Sequence, residues 1–126
     1  MSKSELYLLT GVMSGLMAIY SFASYYTFSG EQLIRASDAK KKIKNGSIKT
    51  IIDVRTNPEW KLGHYKSAIH IPASGFTEKR FNKFNKSDGV LVYCNTGQRA
   101  RNAAEKLKSY GFKNVYYISS TYKSLE

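Results

Sequence analysis

The run Thr50-Ile51-Ile52-Asp53-Val54-Arg55 is β-branched, of strand length, and almost without apolar–polar alternation. Successive side chains of a strand point to opposite faces, so a half-buried strand alternates. A strand covered on both faces does not, and that is the condition of a parallel sheet between helical layers. Val90-Leu91-Val92-Tyr93 has the same character, Ala68-Ile69-His70-Ile71-Pro72 reads as a short strand closed by proline, and Val115 to Ile118 supplies a last strand. Helical segments fall between them. Ser37 or Asp38 caps a basic helix through Lys44, ended by Asn45-Gly46. Asn57-Pro58-Glu59-Trp60 opens a short helix that Gly63 stops, and Phe76 to Phe84 is helical in pattern. Ala100, Ala103, Ala104 and Leu107 at i, i+3, i+4, i+7 mark a helix to Tyr110. Strands alternating with helices predict a small α/β domain over residues 37–126 with a mainly parallel sheet.

Ahead of that domain, no charged residue occurs from Leu6 to Ser29. About 20 such residues suffice to cross the hydrocarbon core as a helix. Tyr20, Phe22, Tyr25, Tyr26 and Phe28 crowd the C-terminal end like an interfacial aromatic belt. Residues 1–29 are therefore read as a membrane anchor inserted through residues 6–28, with 30–36 as a linker. Arg35, Lys40, Lys41, Lys42 and Lys44 follow the apolar run, which places the folded part on the cytoplasmic side of a single-pass protein. A cleaved signal peptide is the rival reading, because Ser21-Phe22-Ala23 offers small residues at a cut site, and it would deliver a secreted or periplasmic domain. Against it, the uncharged run continues past Ala23. A buried core helix is a third reading, disfavoured because the remaining chain can close its own domain.

Composition narrows the partners. With 42% hydrophobic and 23% charged residues the chain is not a disordered tail. The net charge of +11 would suit anionic partners, but the lysines are scattered and not interleaved with stacking aromatics, so no nucleic-acid partner is expected. One cysteine makes no internal disulfide, and the Cys/His spacings of a zinc site are absent, so neither metal nor cofactor is expected.

That cysteine stands in Tyr93-Cys94-Asn95-Thr96-Gly97-Gln98-Arg99-Ala100, where a strand ends and a helix begins. Backbone N–H groups at a helix start, together with the helix dipole, stabilise a thiolate or a bound anion. Cys94 is thus the candidate nucleophile and the loop behind it the candidate anion cradle.

With these residues in hand, the chain from about Ile48 to Ile118 resembles a single-domain rhodanese, of the sulfurtransferase family. The resemblance is carried by Ile52-Asp53-Val54-Arg55, Pro58-Glu59-Trp60, Gly63-His64, Ala68 to Pro72, and Val92 to Ala100, in that order. It implies a three-layer fold around a mainly parallel five-stranded sheet. It also implies a persulfide on Cys94, formed from a small anionic sulfur donor such as thiosulfate and discharged to a thiol or cyanide acceptor. Under it, the amides of Asn95, Thr96, Gly97, Gln98, Arg99 and Ala100 bind substrate, and Arg99 offers a bidentate fork to an oxyanion. Asp53 supports the loop, Arg55 pairs with an acid like Glu59, and His64 and His70 have no catalytic role. Cysteine phosphatases of a related fold keep five residues between cysteine and arginine, whereas Cys94 and Arg99 enclose four, a pocket sized for sulfur. Phosphatase or arsenate reductase chemistry is accordingly the weaker alternative. A catalytically weak module that recruits a partner to the membrane is the other. Related domains end in a Gly-Gly turn and a tryptophan-bearing helix. Here Ile118-Ser119-Ser120-Thr121-Tyr122 leads to Glu126, which predicts a more open pocket.

Overall fold

The computed structural model describes residues 1–126. Helix α1 spans Lys3–Phe28 and is followed by α2 (Ala36–Lys44), β1 (Ile48–Asp53), α3 (Asn57–Leu62), β2 (Ile69–His70), β3 (Gly89–Tyr93), α4 (Gln98–Ser109) and β4 (Val115–Tyr117). The four strands form one all-parallel sheet in the order β2-β1-β3-β4. In register, Asp53 lies beside both His70 and Tyr93, and Val92 beside Tyr117, so the strand ends line up at one edge. Parallel α/β sheets present their sites at the carboxyl edge.

The absence of alternation is explained by two cores, one on each sheet face. Val90, Val92 and Cys94 point into a cluster with Ile52, Val54, Ala100, Ala104, Leu107 and Phe112. Leu91 and Tyr93 point the other way, onto Ala39, Ile51, Tyr65, Ile118 and Leu125. Helix α4 covers the first face with its small-residue stripe. The second is covered by α2 and by the 3-10 turn Tyr122–Leu125. The serine-rich ending is therefore structured, and it seals the face opposite α4.

Several expectations shift. The fifth sheet position is a single parallel bridge between Leu33 and Tyr117. Its hydrogen bonds run from Ile34 N–H to Tyr117 O and from Tyr117 N–H to Gln32 O, both 3.0 Å, so the stretch expected as a linker pairs with the sheet edge. Strand β1 stops at Asp53 rather than Arg55, because the Arg55 N–H turns back to Asp53 Oδ1 at 2.9 Å. The cap of α3 is Thr56, one residue ahead of the stretch expected to open the helix, with Glu59 closing a reciprocal capping box. Arg35 is the N-cap of α2, without a side-chain bond, and Ser37 and Asp38 lie inside the first turn. Phe76 to Phe84 is not an α-helix: Phe76 is extended and only Glu78–Phe81 forms a 3-10 turn. The aromatic spacing there serves packing, since the Phe76 and Phe84 rings lie 4.8 and 5.3 Å from that of Phe81, itself 1% exposed.

Helix α1 is a capping-box helix begun by Ser2 and Glu5. It is long and apolar enough to cross a membrane, and its apolar side chains from Leu6 to Phe28 are largely exposed. Only its C-terminal end touches the domain. Arg101 Nη1 donates to Tyr26 O and, at 2.9 Å, to Ser29 Oγ, while its guanidinium stacks 4.0 Å from the Tyr26 ring centre. On the buried side Tyr117 Oη donates to Thr27 O at 2.7 Å.

Candidate active site

Cys94 is the residue after β3, 1% exposed, with its Cβ side in the α4 core. From there the chain turns through Asn95, Thr96 and Gly97 into α4. Gly97 adopts φ +109°, a left-handed conformation open to glycine at little cost. A Cβ on it would also lie 2.9 Å from Thr27 Cγ2 and 3.0 Å from Ser119 Cα. This turn aims the Gly97 N–H at Cys94 Sγ, 3.1 Å away. The N–H groups of Asn95, Thr96, Gln98, Arg99 and Ala100 take part in no protein hydrogen bond. Three of these belong to the first turn of α4, whose leading amides have no partner within the helix. The result is a run of free backbone donors just after the cysteine, at the positive end of a helix dipole and with the Gly97 N–H on Sγ, a ready anion site.

Glu59 holds that loop from outside. Its carboxylate accepts from Arg99 Nη1 and Nη2 at 2.7 and 3.0 Å, and from Asn95 Nδ2 at 2.6 Å. The Arg99 bonds, with the Thr56 N–H, keep the Glu59 carboxyl ionised well below the usual carboxylate range, and Glu59 in turn raises the Arg99 pKa. The fork of Arg99, expected to clasp a substrate oxyanion, is thus engaged with Glu59, while it also lies close enough to Cys94 for that residue to add to the rise in its pKa.

Arg55 does not pair with Glu59 as expected. It is 5% exposed and grips Asp53, fully buried, with Nη2 to Oδ2 at 2.8 Å. Nη2 also donates to Gly63 O at 2.6 Å, and the guanidinium lies 5.2 Å from the Tyr122 ring. Burial opposes the Arg55 charge, but Asp53 more than offsets this and the pKa rises. Burial, with Asp53 nearby, pushes the Tyr93 phenol up. Asp53 and Arg55 thus brace the strand ends beneath the loop. His64 and His70 stack on Trp60 at 3.4 and 4.6 Å, and each bonds a backbone carbonyl through one ring nitrogen.

Two clefts flank the loop. One, of about 500 Å³, is lined by Arg99 with Val54, Thr56, Pro58, Pro72 and Ser74. The other, of about 290 Å³, lies between the loop and the end of α1. Sequence reasoning gave Thr27 and Ser119 no role, and nothing local in the sequence marks contacts that span the whole domain.

Residues 35–125 match the family profile described as Rhodanese-like domain, well over half of the chain. The chain belongs to the rhodanese-like family. Among its relatives is the Bacillus subtilis protein YrkF, named for a sulfur-carrier role, 37% identical over 79 residues covering 63% of this chain and 42% of that one. Another is the tRNA uridine(34) hydroxylase of Buchnera aphidicola, 34% identical over 90 residues, covering 68% of this chain and 28% of that enzyme. The chain spans less than half the length of these curated relatives. A rhodanese-related protein of Thermoplasma volcanium superposes with a TM-score of 0.63 at 26% identity, covering 75% of this chain and 89% of that one. The human single-domain sulfurtransferase, at 19% identity and a TM-score of 0.62, covers 75% and 95% and shows the shared fold.

The Glu59 clasp makes a pH prediction. A carboxyl depressed in the folded state contributes stability above its unfolded pKa, about 4.3, and loses it as pH falls through the folded value. Glu59→Gln removes that contribution. The urea midpoint of wild type should exceed that of Glu59→Gln above about pH 5, and the gap should close on strong acidification. A gap independent of pH would show that Glu59 acts through packing alone.

Proposed function

We propose that this rhodanese-like domain is a sulfurtransferase that carries a sulfane sulfur on Cys94, held at a membrane by α1. The observation that carries the reading is the set of unpaired amides in the loop that follows Cys94, with the Gly97 N–H on its Sγ. A structural cysteine has no use for such a donor set, whereas a persulfide anion does.

In the first step the Cys94 thiolate attacks the outer sulfur of thiosulfate. A bond forms between Sγ and that sulfur, the bond to the sulfonate sulfur breaks, and sulfite leaves with the electron pair. The persulfide anion then sits at the loop amides, a preorganised site that needs no rearrangement to receive charge. In the second step a nucleophile (cyanide or a thiolate) takes the outer sulfur, and the electron pair returns to Sγ. The cycle is covalent and ping-pong. The cleft beside Arg99 suits entry of the anionic donor. With four residues between Cys94 and Arg99, the loop is short for a phosphate, so aryl phosphates should not be turned over.

One observation favours a second reading. Cys94 is 1% exposed and Arg99 is already paired, as in a domain that recruits a partner without chemistry. Steady-state transfer from thiosulfate to cyanide by the full-length chain in detergent separates the two. Wild type should show parallel double-reciprocal lines, and Cys94→Ser should lose on the order of 10³-fold or more of the rate. Equal, background-level rates in both would favour the recruitment reading.

The anchor reading rests on the length, apolarity and exposure of α1. The full-length chain should stay in the membrane pellet after alkaline carbonate extraction. A shortened, soluble product would mean a cleaved signal instead.

A further inference from the structure

Helix α1 meets two environments along its length. Every residue from Lys3 to Phe22 is exposed, and burial begins only at Ala23 and Ser24, which are half-buried, ahead of the buried Thr27. The first part of the domain that the helix reaches is the loop after β3, since Asn95, Thr96 and Gln98 share a cleft with Tyr20, Ala23 and Ser24. Phe22 and Tyr25, in the same turns of α1, are each 72% exposed, so the aromatic end of the helix and the loop stand at one level. The domain does not swing on a tether there. Arg101 holds Tyr26 O and Ser29 Oγ, and Tyr117 Oη holds Thr27 O.

Helix length sets where that level lies in a bilayer. Glu5 bounds the uncharged run, and the uncovered stretch from Leu6 to Phe22, about 17 residues, rises about 25 Å. The hydrocarbon core is about 30 Å thick and takes about 20 residues, more if the helix tilts. A spanning α1 therefore uses its residues as far as Tyr25, which lies level with the loop. Charge points the same way. In a chain of net charge +11, Asn95 to Gln98 and Ser119 to Tyr122 contain no charged residue. Next to them Arg99 is paired with Glu59, and Arg101 with Glu105. The opposite, amino edge of the sheet is entered past Lys44, Lys49, Lys86 and Lys113.

We propose that the carboxyl edge beside α1 is a membrane-contact surface that seats the loop after Cys94 in the phospholipid headgroup layer. The proposal rests on the reading of α1 as an anchor and is independent of the chemistry at Cys94. The exposed Thr96 hydroxyl and Gln98 amide donate to phosphate and glycerol-ester oxygens, and Phe22 and Tyr25 enter the boundary beside them, as interfacial aromatics do. The amino edge, about 20 Å away along a six-residue strand, points into water with its lysines.

The test uses the full-length chain with Cys94→Ser in phosphatidylcholine vesicles, given one new cysteine at a time. Thr96→Cys and Gln98→Cys report on the loop, and Lys49→Cys and Lys113→Cys on the amino edge. Each is labelled with a nitrobenzoxadiazole fluorophore and quenched by phosphatidylcholine bearing a nitroxide on its headgroup. Quenching at the loop sites should exceed that at the amino-edge sites about threefold or more, because the edges stand about 20 Å apart and the nitroxide acts at close range. Equal quenching at the two edges would overturn the proposal: weak at both, the domain stands off the bilayer, and strong at both, it lies on its side. A second arm needs no substitution. Wild-type chain is photolysed in vesicles of phosphatidylcholine that carries a diazirine on its headgroup, and adducts should fall on peptides holding residues 95–98 and 20–28 and spare residues 110–114. Adducts confined to α1, or shared equally with residues 110–114, would also overturn it. Alkaline carbonate extraction of the same vesicles separates the two readings. Equal quenching in a chain retained by the membrane sinks the contact surface alone, whereas a chain that is released sinks the anchor and the surface with it.

Discussion

Strand β3 is the constraint on which the rest of the molecule depends. It pairs with β1 on one side and β4 on the other, so its backbone groups are consumed by the sheet. Its side chains Val90 to Tyr93 are at most 1% exposed and alternate between the two cores. A strand fixed on all four sides cannot slip, since a one-residue shift would exchange its two faces. The chain leaving it therefore delivers Cys94 to one place at the carboxyl edge, where α4 begins.

What surrounds that place divides into a loop and its braces. The loop offers backbone: amides that the start of α4 and the turn at Gly97 leave unpaired. The braces are ionic. Asp53 and Arg55 form a pair whose side chains are 0% and 6% exposed, and it joins the end of β1 to the Gly63 carbonyl. Removing one partner of such a pair would strand a buried charge, a loss of about 3–5 kcal/mol. Glu59 reaches across from α3 to Arg99 and Asn95, which ties two side chains of the loop to the neighbouring helix. The end of α1 completes the surround from the opposite side, through Thr27 against Gly97 and Tyr26 against Arg101.

Much of this was legible in the sequence because it follows from local patterns. The unalternating strands, the alanine stripe of α4 and the glycine stops all reflect short-range periodicity, and the resemblance to rhodaneses fixed the sheet and the loop. Pairing of charges was less legible. Arg55 and Arg99 are both within reach of an acid, and which of Asp53 and Glu59 each takes depends on where β1 ends and α3 begins. The 3-10 geometry near Phe81 was hidden because aromatics spaced for packing imitate a helical repeat. Thr27, Ser119 and the edge bridge at Leu33 left no sequence signal, since each acts through contacts with residues far along the chain.

The central claim is that the free loop amides exist to hold a sulfane sulfur on Cys94. Intact-protein mass spectrometry of the full-length chain, after a brief exposure to thiosulfate and again after reductant, tests it most directly. The account predicts a gain of one sulfur atom located on the peptide containing Cys94, reversed by reductant and absent from Cys94→Ser. An unchanged mass in folded wild-type protein would contradict it.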